Sequence, residues 1–113
     1  MKKKYLILFY AAISVYLISC ATMIPIPQEK DIAAITKHFP KTQLSDLVNG
    51  RELYVNKCSG CHTLRIPSNY TKSQWQQRLP DMKVEAKISE EEAQNILRYL
   101  LTYAKDSNQV SSN

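Results

Sequence analysis

The sequence predicts an all-α domain built from three to four short helices, and three observations carry that prediction. Ile88, Ala93, Ile96, Leu97, Leu100, Leu101 and Ala104 recur at three- and four-residue spacing, which lays one apolar stripe along a helix. Leu47, Val48, Arg51, Leu53, Tyr54 and Val55 keep helical spacing as well. No segment alternates apolar and polar residues strongly enough to make a half-buried strand.

The chain opens on Met1-Lys2-Lys3-Lys4, followed by an apolar run from Tyr5 to Ile18. A charged start and a short apolar stretch form the pattern of a secretory signal. As a helix that run is roughly 21 Å long, at about 1.5 Å per residue, whereas a bilayer core is roughly 30 Å thick. The run ends in Leu17-Ile18-Ser19-Cys20, which resembles the lipobox of bacterial lipoprotein precursors. That resemblance implies cleavage after Ser19 and a diacylglycerol on the Cys20 sulfur, an attachment made lasting by several buried acyl chains. The alternative is an ordinary signal peptide with an incidental cysteine.

Residues 1–19 are therefore expected to be a lipoprotein signal peptide, and 20–43 a lipidated cysteine with its tether. Pro25, Pro27 and Pro40 discourage helix there, although Asp31 to His38 has room for a short one. The domain proper is expected at 44–105, with a polar tail at 106–113. Its first helix is predicted to start with Ser45 as N-cap and to run to Lys57, interrupted by Gly50. Pro67, Ser68 and Asn69 mark a loop. Thr71 and Gln74 form a capping box for a second helix carrying Trp75 and Leu79, which Pro80 is expected to end or kink. Ser89 and Glu92 make a second capping box at the start of the last helix.

The 113 residues hold 15 Lys+Arg and 10 Asp+Glu. Removing residues 1–19 takes away three lysines and leaves a net charge of about +2. No basic face then remains to neutralise phosphates, so nucleic acid is not an expected partner. The three cysteines do not suggest a disulfide framework, because one belongs to the lipobox and two share one short motif.

That motif is Cys58-Ser59-Gly60-Cys61-His62, the pattern Cys-x-x-Cys-His. Two thiols at this spacing reach the two vinyl groups of a haem and form thioethers, and the adjacent imidazole lies under the iron. Ser59 and Gly60 are small enough not to obstruct the porphyrin edge. A redox dithiol would expect a thioredoxin-like αβ pattern, which is missing. A zinc site would need a second pair of ligands, which the remote His38 does not supply. The expected cofactor is one covalent haem c, with Cys58, Cys61 and His62 holding it and His62 ligating the iron.

From Leu47 to Tyr103 the chain resembles the class I cytochrome c family. Gly50-x3-Tyr54-x3-Cys58 matches the glycine and aromatic of that family's first helix, and Ile96, Tyr99 and Leu100 match its last helix. The resemblance implies a compact fold of short helices around the haem, with the first and last helices crossing closely at Gly50. It also implies methionine as the usual second axial ligand. Met1 leaves with the signal and Met23 lies beside the lipid site, so Met82 is the candidate. His38 and an open sixth position are the rivals. Pro67 has two readings, a carbonyl acceptor for the His62 ring or a turn residue. Trp75 also has two, a donor to a haem propionate or a core residue. Lys57, Arg65, Lys72, Lys83 and Lys87 either ring the haem edge toward an acidic partner or form a solvated surface.

These expectations converge on a periplasm-facing, lipid-anchored, single-haem one-electron carrier with redox proteins as partners. No catalytic triad or acid pair is present, so no enzymatic activity is expected. A haem-based ligand sensor, or a haem subunit of a membrane oxidoreductase complex, are the alternatives. Ala21 after the lipid site favours the outer membrane over the inner.

Overall fold

A computed structural model describes residues 2–18, 24–59 and 63–106. Five α-helices and two short 3-10 turns make up this part, with no sheet among the described residues. The all-α expectation is met. In order they are α1 (Lys2–Ile18), a turn at Glu29–Asp31, α2 (Ile32–Ile35), α3 (Leu44–Cys58), a turn at Pro67–Asn69, α4 (Lys72–Ala86) and α5 (Glu90–Tyr103).

The α1 helix carries the apolar run of the N-terminus, and its residues from Tyr5 to Tyr10 are all exposed. Among the described residues no helix is long and apolar enough to cross a membrane. Cys20 and Met23 lie outside the described residues.

The framework of the domain is the crossing of α3 and α5. Gly50 is buried in it, and a Cβ built there would stand 2.1 Å from the Asn95 carbonyl oxygen and 2.9 Å from the Tyr99 Cβ. No larger residue permits that approach, which explains a glycine that costs about 1 kcal/mol in helix propensity. Tyr54 and Tyr99 pack beside it with ring centroids 6.1 Å apart. Leu47, Ile96, Leu100 and Leu101 fill the remaining space and are essentially inaccessible to solvent. Burial of each such side chain stabilises the fold by about 1.5–3 kcal/mol.

Two local readings change, and a third, the short helix within Asp31 to His38, is met. The α3 helix is capped by Gln43, two residues before Ser45, because the backbone N–H of Gln43 donates to the Asp46 carboxylate at 2.9 Å. Ser45 has Val48 three residues on, which offers no such carboxylate. Asp31 to His38 yields only a turn and the four residues of α2, with His38 exposed just beyond. Pro80 does not end α4, which continues to Ala86. Pro80 and Gln76, whose carbonyl loses its helical donor, are both exposed, so water can serve the orphaned oxygen. The helix stops instead at Lys87, which adopts the left-handed conformation at φ 55°. There the N–H groups of Lys87 and Ile88 close back onto Val84 and Lys83.

The stretch expected to be a tether is largely part of the body. Arg51 Nε donates to the Pro25 carbonyl at 3.0 Å, and the Tyr99 hydroxyl donates to the same oxygen at 2.8 Å. Pro27 is buried, and the Tyr103 hydroxyl donates to Asp31 at 2.7 Å. Further along, Arg98 stacks over Phe39 at 5.0 Å and reaches Asp46 at 3.6 Å. Residues 24–43 thus wrap the outer faces of α3 and α5.

Candidate functional site

Cys58 is the last residue of α3 and is buried. Cys61 and His62 lie outside the described residues, and the chain is described again from Thr63. The segment 63–70 is held from two sides. The Tyr54 hydroxyl, one turn before Cys58, donates to the Arg65 carbonyl at 2.6 Å. Burial pushes that phenol well above its ordinary ionisation range, so it remains a donor at neutral pH. On the far side, Trp75 Nε1 donates to the Pro67 carbonyl at 2.9 Å.

This last bond decides the reading of Trp75. Trp75 is fully buried and spends its only donor on Pro67, so it is a core residue and not the donor to a propionate. The Pro67 carbonyl also accepts from the Tyr70 backbone N–H at 3.3 Å, which gives Pro67 a turn role. Trp75 packs edge-on against Tyr54 and Tyr70, with centroids 6.2 and 5.0 Å away. Capping by Thr71 is as expected, with the Gln74 N–H donating to Thr71 Oγ1 at 3.2 Å and Gln74 answering at 2.9 Å.

Two clefts adjoin this segment. One of about 420 Å³ is lined by Thr63, Leu64, Arg65, Ile66, Asn69 and Tyr70. The other, about 170 Å³, is lined by Arg65, Arg78, Asp81, Met82 and Glu85. Arg65 borders both. Met82 is half-buried against the core and sits on α4, not on a loop beyond it. Helical spacing puts Arg78, Met82 and Glu85 on one face. The structure therefore brings Met82 to the side of α4 that faces the segment following the motif. His38 is exposed in the turn after α2 and lines neither cleft.

The other basic residues are dispersed. Lys83 pairs with Glu90, Lys57 and Lys87 are exposed, and Lys72 is half-buried at the start of α4. Sequence reading passed over Tyr70 and Arg78. Arg78 carried a usable signal, since it precedes Met82 by one helical turn.

A family model described as dihaem cytochrome c matches residues 54–113, just over half of the chain. The chain belongs to the dihaem cytochrome c family. No curated protein and no solved structure matches it. Membership gives this cytochrome an electron-carrier function, that of a carrier and not an enzyme. It also corrects the cofactor count, because the family is one of two haems, whereas one was expected. Counting motifs registers only haem fixed through Cys-x-x-Cys-His within these residues, and so undercounts the complement of the family. Cys58, Cys61 and His62 have the donor chemistry for one of the two. The remaining cysteine, Cys20, is followed by Ala21, so these residues contain no second such motif to fit the other.

Proposed function

We propose that this cytochrome is an envelope-anchored electron carrier in which Cys58 and Cys61 bind a haem through thioethers, with His62 as proximal ligand and Met82 as distal ligand. The observation that carries the reading is the attachment motif at the buried end of α3, inside the family-matched segment, with Met82 on the wall of an adjoining cleft. Bound there, haem supplies a reversible one-electron couple whose potential a thioether ligand and burial raise. The protein's part is to hold geometry. Tyr54 and Trp75 fix the segment after His62, and the α3–α5 crossing fixes the helix that presents Cys58. Little then has to move when the iron changes charge.

The location follows from the N-terminus. The lysines at 2–4, the exposed apolar face of α1 and the Leu17-Ile18-Ser19-Cys20 sequence support export and lipidation of Cys20. The carrier then faces the periplasm from a membrane, with Ala21 favouring the outer one, and exchanges electrons with redox proteins there.

The test is an optical spectrum of exported protein, oxidised and reduced, with a haem stain on a denaturing gel. Covalent haem with low-spin iron is expected, together with a sulfur–iron band in the ferric form that Met82→Ala abolishes. An unchanged resting spectrum in Met82→Ala would overturn the methionine ligand. Colourless wild-type protein would overturn the whole reading. Separately, Cys20→Ala is expected to move the protein from the membrane fraction to the soluble periplasm, and retention at the membrane would refute the lipid anchor.

A further inference from the structure

We propose that Arg65 and Arg78 form a two-guanidinium seat for a carboxylate of the bound haem, one of its propionates; this rests on haem attachment at Cys58 and Cys61. The two side chains come from different elements and meet on one aromatic ring. Arg65, three residues beyond His62, donates from Nη1 to the Tyr70 hydroxyl, and its Cζ lies 5.6 Å from the Tyr70 ring centroid. Arg78, on α4 one turn before Met82, lies 4.7 Å from the same centroid. The ring between them is itself held, by contact with Trp75 and by its backbone N–H on Pro67.

Two like charges gathered at one ring repel each other. Gathering them is favourable when an anion is shared between them. Among the described residues neither guanidinium forms an ion pair, although Asp81 and Glu85 line the same cleft as Arg78. The ring quadrupole attracts both cations without using their forks of N–H donors, of which Arg65 spends one, at Nη1, on the Tyr70 hydroxyl. A carboxylate is planar and takes such forks two at a time, and Arg does this better than Lys. The position selects the source. Arg65 borders both clefts beside the motif segment, and Arg78 shares the second with Met82. The charged substituents of a haem are its two propionates, and Trp75, the donor first considered for them, is already bonded to Pro67.

The test uses exported, haem-loaded protein carrying Arg65→Gln, Arg78→Gln, or the lysine at either position, with Lys87→Gln as a charge control. Resonance Raman of the propionate bending mode reads hydrogen bonding at the carboxylate directly. Both glutamine variants are expected to shift that band, and the lysine variants to restore part of the shift. Both glutamine variants are also expected to lower the midpoint potential more than Lys87→Gln does. A band that stays at its wild-type position in loaded Arg65→Gln and Arg78→Gln protein would overturn the seat. So would an unmoved band accompanied by weaker binding of an acidic redox protein, which would make the pair a partner contact. If one glutamine variant fails to load haem, the other and the lysine variants still decide. Absence of covalent haem from wild-type protein refutes the haem reading itself, an outcome distinct from loaded protein with an indifferent band.

Discussion

The helices α4 and α5 are nearly matched in length, at 15 and 14 residues, and both begin with a complete capping box, yet they are buried very differently. The α5 helix sinks Ala93, Ile96, Tyr99, Leu100 and Leu101 into the protein, while α4 sinks only Trp75 and Leu79, both in its first half. Its second half carries Pro80, a half-buried Met82 and a Val84 that is 77% exposed. Capping and propensity alone do not explain why the second half of α4 holds its helical form. The contrast teaches that α5 is completed by polypeptide, whereas the cleft face of α4 is left open, and in the function proposed above haem is the group that completes it.

The severest way to break this comparison is to withhold that group. In a Cys58→Ser/Cys61→Ser double variant the domain is expected to be mostly unfolded, since about 60 residues bury too little surface to be stable alone. Hydrogen exchange should show the second half of α4 unprotected, with any residual protection at the α3–α5 crossing. A well-dispersed NMR spectrum of haem-free protein with α4 protected would reverse the assignment of roles.

The next effect tests α5. Gly50→Ala forces a Cβ into the Asn95 carbonyl, a backbone atom without freedom to swing aside. Overpacking of this kind costs typically 1–3 kcal/mol, and a backbone clash belongs at about 3 kcal/mol or beyond. Denaturant unfolding of the haem-loaded variant checks it, and a loss below about 1 kcal/mol would mean that the helices separate easily.

Tyr99→Phe removes the bond to Pro25 and is expected to cost about 1 kcal/mol at pH 7. Burial pushes the Tyr99 phenol up to about 12 from an ordinary 10.0. The neutral form is favoured in the folded state, so this stability is fully present below pH 10 and is lost as pH rises from 10 toward 12. The variant should therefore lose stability less steeply than wild type over that window, as measured by urea midpoints at stepped pH.

Smallest of all, Lys87→Gly relieves a side chain held at φ 55° where α4 stops, and should add about 1 kcal/mol. A thermal scan showing no gain would indicate that the α4 terminus does not limit stability.

How much of this was legible in the sequence depends on the range of the signal. Ser89 with Glu92, Thr71 with Gln74, and the stripe of α5 are patterns within one or two turns, and they read correctly. Gly50 was legible too, since a costly residue amid good helix formers requires a reason. Of the two outcomes expected of Pro80, ending the helix does not occur, because its cost depends on which face it occupies, and that is fixed by tertiary packing. The N-cap at Gln43 was within reach through Asp46, but serine is the stronger habitual signal. The bonds that hold Pro67 and Pro25 span 8 and 74 residues, to Trp75 and Tyr99, and no local rule reports such pairings. The number of haems was out of reach, because a motif count does not see beyond the residues that bear it.

The docking of Pro25 onto Arg51 and Tyr99 has a consequence for traffic. Only Ala21, Cys20's neighbour, with Thr22 and Met23, separate the proposed lipid attachment from Ile24, the first described residue of the domain. Fully stretched, that link spans at most about 14 Å, at about 3.3–3.6 Å per residue. If Cys20 carries the lipid proposed above, so short a leash confines the carrier to the membrane surface, where it drifts laterally with that lipid. Its encounters are then two-dimensional, and a donor or acceptor must share that plane or come down to it.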